Sequence, residues 1–159
     1  MIALMILTLI GALTSTQIKK LIDVHHFEQE ASTLFTTLQD AQILSATYRT
    51  DLSLDLFLNN NTLAYQITTD EPFTPFQLKQ EAVSLSHTAR LQFNGKKATR
   101  LHFDIYSGGR IEPRGLLSLL QTTGEESKAI WIDLQHGTLL KFSHTKPSLS
   151  KTVAPLPPK

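Results

Sequence analysis

No proline interrupts the chain before Pro72, and Gly11 is the only glycine before Gly95. Proline and glycine are the residues that most strongly disfavour a helix interior, so this stretch holds little that would force a helix to break. Residues 1–18 carry no charge, and thirteen of the eighteen are strongly apolar or glycine. Ile18, Leu21, Ile22 and Val24 then lead into Phe27, Ala31, Leu34, Phe35, Leu38, Ala41 and Leu44. This second set recurs at i, i+3 and i+4, the spacing of a single apolar stripe on a helix. Glu28, Glu30, Thr33, Thr37 and Asp40 fall on the other face. The two patterns join into one helix over residues 2–47, about 70 Å long at 1.5 Å per residue.

The apolar start has three readings. A transmembrane helix needs about 20 mostly apolar residues, and here the dense run is 2–13, followed by Thr14, Ser15, Thr16 and Gln17. A secretory signal needs basic residues before its apolar run and a small-residue cleavage site. No Lys or Arg precedes this run, and Ala12-Leu13-Thr14 is a poor site. The third reading is an apolar top of one long helix, seated in a membrane, whose lower half continues outside it. Its stem residues are Ile2, Leu4, Met5, Ile6, Leu7, Leu9, Ile10 and Leu13. The residues expected to pack the helix on the following domain are Phe27, Ala31, Leu34, Phe35, Leu38 and Ala41, with Phe35 and Leu38 against Leu52, Leu54 and Leu56.

After Tyr48 the period changes to two. Leu52, Leu54, Leu56 and Leu58 alternate with Ser53, Asp55 and Phe57, the mark of a strand with one buried face. Asn59-Asn60-Asn61 turns the chain, and 63–68 returns as the partner strand. Pro72 and Pro75 make 70–76 a loop. Short strands follow at 82–86, 89–93, 100–106, 115–121, 129–134 and 138–143. Asn94-Gly95-Lys96-Lys97 is a hairpin connection, Ser107-Gly108-Gly109 turns the chain again, and Gln135-His136-Gly137 joins the last two strands as a tight hairpin. Strands at near-regular spacing without a second helix predict an antiparallel sheet or sandwich. The fold class is therefore α+β: one long N-terminal helix packed on an antiparallel β domain. The expected segments are 1–20 apolar stem, 21–48 amphipathic continuation, 49–144 β domain and 145–159 a flexible tail, which holds four of the seven prolines.

A helix half membrane-like and half amphipathic, followed by antiparallel strands, resembles the type IV pilin-like proteins. Within them it resembles most the minor pseudopilins of type II secretion, of the GspH/FimT type. "MIALMILTLIGAL" is similar to the apolar stem after the processing site. "ASTLFTTLQDAQILSATYRTDLSLDLFL" is similar to the helix end and first strand, "LHFDIYSGGRI" to a strand, glycine turn and return, and "AIWIDLQHGTLLKF" to the closing hairpin. The likeness runs in order over residues 1–143. It implies a structural subunit, processed and methylated at its mature amino terminus. That subunit would be held by one helix in the inner membrane with its β domain in the periplasm, and would assemble with other pseudopilins and inner-membrane components of a secretion system. A minor pilin of a type IV pilus or of a DNA-uptake filament has the same architecture. A membrane-anchored periplasmic binding domain is the reading of a different class. The family's basic leader, Gly before the cut, Phe after it and nearby Glu are not present. "MIALMIL" resembles the residues just after that Glu, so either in-frame DNA upstream of Met1 encodes them, which is the expectation, or the protein has lost its processing site.

Residue chemistry points to neither an enzyme nor a cofactor. His25 and His26 are adjacent and would point about 100° apart on a helix, so they do not readily share a metal. His102 and Asp104 share a strand face and could ligate a cation with a third group, although exposed strand residues are the simpler reading. His87, His136 and His144 have no sequence neighbour to work with. No Ser sits in a G-x-S-x-G setting. Ser107-Gly108-Gly109-Arg110 could hold an anion through backbone N–H groups, but it lacks a following helix and reads as a turn. Lys96, Lys97 and Arg100 read as a solvated hairpin. No acidic residue follows Asp133, so a C-terminal calcium loop is not expected. Fifteen basic against fourteen acidic residues leave a net charge of +1, so no nucleic-acid partner is expected. The absence of Cys excludes disulfides and thiolate metal sites.

Overall fold

The computed structural model describes residues 2–59, 62–69, 81–88, 90–123 and 126–147, with side chains from Ile18 onward except 122–126. The 70–76 loop, the Asn60-Asn61 turn and most of the 145–159 tail lie outside the described residues, as do the side chains of the stem.

One helix, α1, runs unbroken from Ile2 to Tyr48 over 47 residues. Its end is set by backbone geometry. Arg49 takes a left-handed φ of 54°, and the Thr50 N–H donates to the Ser45 carbonyl at 3.3 Å. This is the six-to-one closure of a Schellman cap, made here without the glycine that usually marks it.

Ten strands follow: β1 (Leu52–Asn59), β2 (Thr62–Thr68), β3 (Val83–Leu85), β4 (Arg90–Phe93), β5 (Lys96–Ala98), β6 (Arg100–Ile105), β7 (Ile111–Glu112), β8 (Leu116–Thr123), β9 (Glu126–Asp133) and β10 (Lys141–Ser143). They form two five-stranded sheets, ordered β3-β2-β1-β6-β7 and β10-β9-β8-β4-β5. Every strand pairing among the described residues is antiparallel. The fold is therefore the expected α+β one, with the helix packed on antiparallel sheets. In β1, Leu52, Leu54 and Leu56 are buried and alternate with half-buried residues, as the period of two requires. Phe93 of β4 meets Phe103 of β6 edge-on at 5.7 Å between ring centroids, which brings the inner faces of the two sheets together.

Two local expectations are corrected. Asn94-Gly95-Lys96-Lys97 is not all turn. Asn94 and Gly95 alone have positive φ, 52° and 77°, a two-residue loop that matches strand twist, and Lys96 already pairs with Phe93. Gln135-His136-Gly137 is not a tight hairpin. Strand β9 ends at Asp133 and β10 starts at Lys141, where the two residues pair, so residues 134–140 form a longer connection. Within it the Gly137 N–H turns back to the Leu134 carbonyl at 3.1 Å. Strand β7 is the short return after the Ser107-Gly108-Gly109 turn, pairing with β6.

Candidate functional site: the long helix and its cradle

The second half of α1 lies in a cradle made by both sheets, packing on β6, β8 and β9. Phe27, Ala31, Leu34 and Leu38 are fully buried, and Ala41 is 1% exposed. They share one core with Leu52, Leu54, Leu56, Phe103, Leu117 and Ile132. Phe35 differs from the expectation. It is half-buried, and its ring meets Phe142 of β10 at 5.5 Å. The apolar stripe is wider than the cradle floor, so Phe35 sits at the rim and is capped by the last strand.

Polar side chains bind the helix on both flanks. Near its end, Gln42 Nε2 donates to the Gly109 carbonyl at 2.7 Å and the Gly137 carbonyl at 3.0 Å. Ser45 Oγ, itself buried, donates to the Ile105 carbonyl at 3.3 Å and also to that of Tyr106. Midway, the hydroxyls of Thr37 and Tyr65 meet at 3.3 Å. Lower down, Glu30 accepts from Ser86 Oγ at 2.9 Å and from the His87 N–H at 3.0 Å, and the His87 and His26 rings stack at 5.1 Å. Lys128 Nζ of β9 lies 2.5 Å from Glu28 Oε1. That hydrogen bond, aided by the Lys128, His144 and His25 charges, holds the Glu28 carboxyl below its usual range against the opposing effect of burial. At the lowest rung, Gln121 Nε2 donates to the Asp23 carbonyl at 3.0 Å.

Sequence reading did not single out Gln42 and Ser45. A signal existed for one of them: Ser45 stands four residues after Ala41, a small polar residue at a stripe position, where a buried hydroxyl needs an acceptor. Gln42 left no signal, because its partners are backbone carbonyls in loops far along the chain.

The remaining chemistry-bearing residues do not converge. His25 and His26 rings are tilted and 6.5 Å apart. His102 does find a third group, Asp55 on the neighbouring strand, but the three are strung in a row. Nδ1 faces Asp55 Oδ1 and Nε2 faces Asp104 Oδ1, each at 3.1 Å, so the imidazole separates the carboxylates. Hydrogen bonding to Asp55 pushes the His102 pKa up; burial opposes it, and the Asp55 charge, the bond to Asp104 and the Asp104 charge add to the rise. Among the described residues no group of three or more His, Asp or Glu is placed to hold a metal ion. Ser107 donates its N–H to Asp51 Oδ1 at 2.6 Å, and the Arg110 guanidinium lies over the Tyr106 ring, 4.8 Å from its centroid. The Ser107-Gly108-Gly109-Arg110 turn is thus committed to internal contacts.

Below the cradle, Ile18, Leu21 and Ile22 of the helix are exposed. Among the described residues no helix is long and apolar enough to cross a membrane, and the stem's side chains are not among them. No family model matches the chain. No curated protein matches it. Among solved structures, the crystal structure of the type IV minor pilin FimU of Pseudomonas aeruginosa is similar at 12% identity, over 75% of this chain and 89% of that one, with a TM-score of 0.47.

Proposed function

We propose that this chain is a pilin-like filament subunit, and specifically a minor pseudopilin of a type II secretion pseudopilus, which helps move folded proteins across the outer membrane. The observation that carries this reading is the single helix from Ile2 to Tyr48. Its second half is locked into a β domain by buried apolar residues and polar contacts along its length. Residues 2–18, ahead of that packed part, are uncharged and mostly apolar in sequence. Such a segment is costly to expose to water. It is satisfied in a bilayer, or when packed against like helices in a filament. In this role the protein works mechanically: it is not an enzyme, takes no cofactor, and stands in the inner membrane with its β domain in the periplasm until it enters the filament. Its partners are other pseudopilins and the inner-membrane assembly components. Co-purification of the full chain from detergent-extracted membranes of a host with a complete secretion system tests this. The intact chain should bring down pilin-like partners. Ile6→Asp, a charge in the middle of the stem, should abolish that capture while leaving the melting of the β domain unchanged. Recovery of the intact chain from the aqueous fraction, alone, would overturn the reading.

A further inference from the structure

Residues 18–22 lie between the dense apolar run at 2–13 and the cradle, whose lowest described contact falls on Asp23 and whose first buried helix residue, among the described ones, is Phe27. Ile18, Leu21 and Ile22 are 53%, 73% and 48% exposed. At 3.6 residues per turn they fall within an arc of about 100°, and Lys19 and Lys20, both exposed, point away from that arc. An apolar arc beside a basic one is the pattern of a helix segment at a membrane surface. The apolar side chains enter the acyl boundary, and the lysine stems reach back to the headgroups. The first acidic residue after this segment is Asp23, half-buried beside Gln121. The next two, Glu28 and Glu30, are occupied by Lys128 and by Ser86 and His87. Among the described side chains of residues 18–22, the outward charge is that of Lys19 and Lys20.

We propose that residues 18–22 form a collar that seats on a bilayer surface rich in anionic phospholipid, with Ile18, Leu21 and Ile22 in the acyl boundary and Lys19 and Lys20 on headgroup phosphates. This rests on the membrane-seated stem of the proposed function and adds the class of lipid that the segment selects. The full chain and its Lys19→Gln/Lys20→Gln variant are floated with vesicles of phosphatidylcholine alone and with vesicles of equal parts phosphatidylcholine and phosphatidylglycerol. Both chains should float equally with the neutral vesicles through the stem. The intact chain should prefer the anionic ones. The variant should partition into the anionic vesicles about thirtyfold less than the intact chain, the generic effect of two basic side chains at such a surface. High salt should erase the difference. Equal partition of the intact chain into both vesicle types, or a variant that keeps the preference, would overturn the collar and leave the anchor standing. No flotation with either vesicle would overturn both together.

Discussion

At the scale of single residues, the helix is held by side chains that act on backbone far away in sequence. Gln42 satisfies the carbonyls of Gly109 and Gly137, and Gly109 explains why the contact is possible. Its φ is +72°, and a Cβ there would lie 3.3 Å from the Gln42 carbonyl oxygen, so only glycine lets the loop come this close without strain. His102 acts on stability through a proton. Its imidazolium can donate to Asp55 and Asp104 at once, whereas a neutral ring can donate to only one of them. The folded chain thus holds this proton more tightly than the unfolded chain does. The stabilisation is complete below the ordinary imidazole range and is lost as pH rises through the raised value. His102→Gln should therefore lower the melting temperature most near pH 5, by about 1–3 °C for an exposed pair in a domain of this size. The difference from the parent should shrink toward zero by about pH 9. Melting curves of both proteins across that range check this, and a deficit independent of pH would mean that the ring acts only by packing.

At the scale of elements, the long helix was the most legible part of the chain. Its stripe keeps one period over six positions, and no proline opposes it. Strand β1 was equally plain from its alternating leucines. Strand β5 was not, since Lys96, Lys97 and Ala98 offer no alternation, and it forms because the Asn94-Gly95 turn delivers it to β4. The helix end was legible to within a residue from the change of period after Tyr48, but its cap at Arg49 was not, because a left-handed conformation is one that arginine seldom marks. The helix-packing face was legible in direction but not in depth. Equal spacing put Phe35 and Leu38 on one stripe, yet the cradle is narrow enough that Leu38 is fully buried while Phe35 rests on Phe142. This inverts the order that side-chain size alone suggests. Leu38→Ala should cost about 2–5 kcal/mol by loss of burial and by the cavity it leaves. Phe35→Ala should cost less, on the order of 1–2 kcal/mol, because it forfeits a partly exposed ring and one aromatic contact. Urea unfolding of the two variants beside the parent gives both values, and a larger loss for Phe35→Ala would show that the rim, not the floor, holds the helix.

At the scale of the whole molecule, α1 divides at Asp23, the lowest helix residue that a described contact ties to the domain. Among the described residues, every buried helix residue falls between 27 and 45. Among the described contacts, the lowest link from the domain is the Gln121 bond to the Asp23 carbonyl. Both sheets, their shared core and the flanking polar contacts lie above that point. Removal of residues 2–20 therefore takes away no buried side chain that is described. It moves the helix start to the neighbourhood of Leu21, where the first turn frays at little cost because its leading N–H groups are unpaired in any helix. The truncated chain should be soluble and folded without detergent, and it should melt within about 2 °C of the full chain in detergent, since surface changes of this kind stay within about 0.5 kcal/mol. The full chain in plain buffer should instead associate, because its uncharged stem finds neither lipid nor a neighbouring helix. Calorimetry together with sedimentation of the two forms makes the comparison. If the truncated chain melts much lower than the full one, the stem contributes to the fold of the β domain, and the division of α1 into a free half and a packed half is wrong.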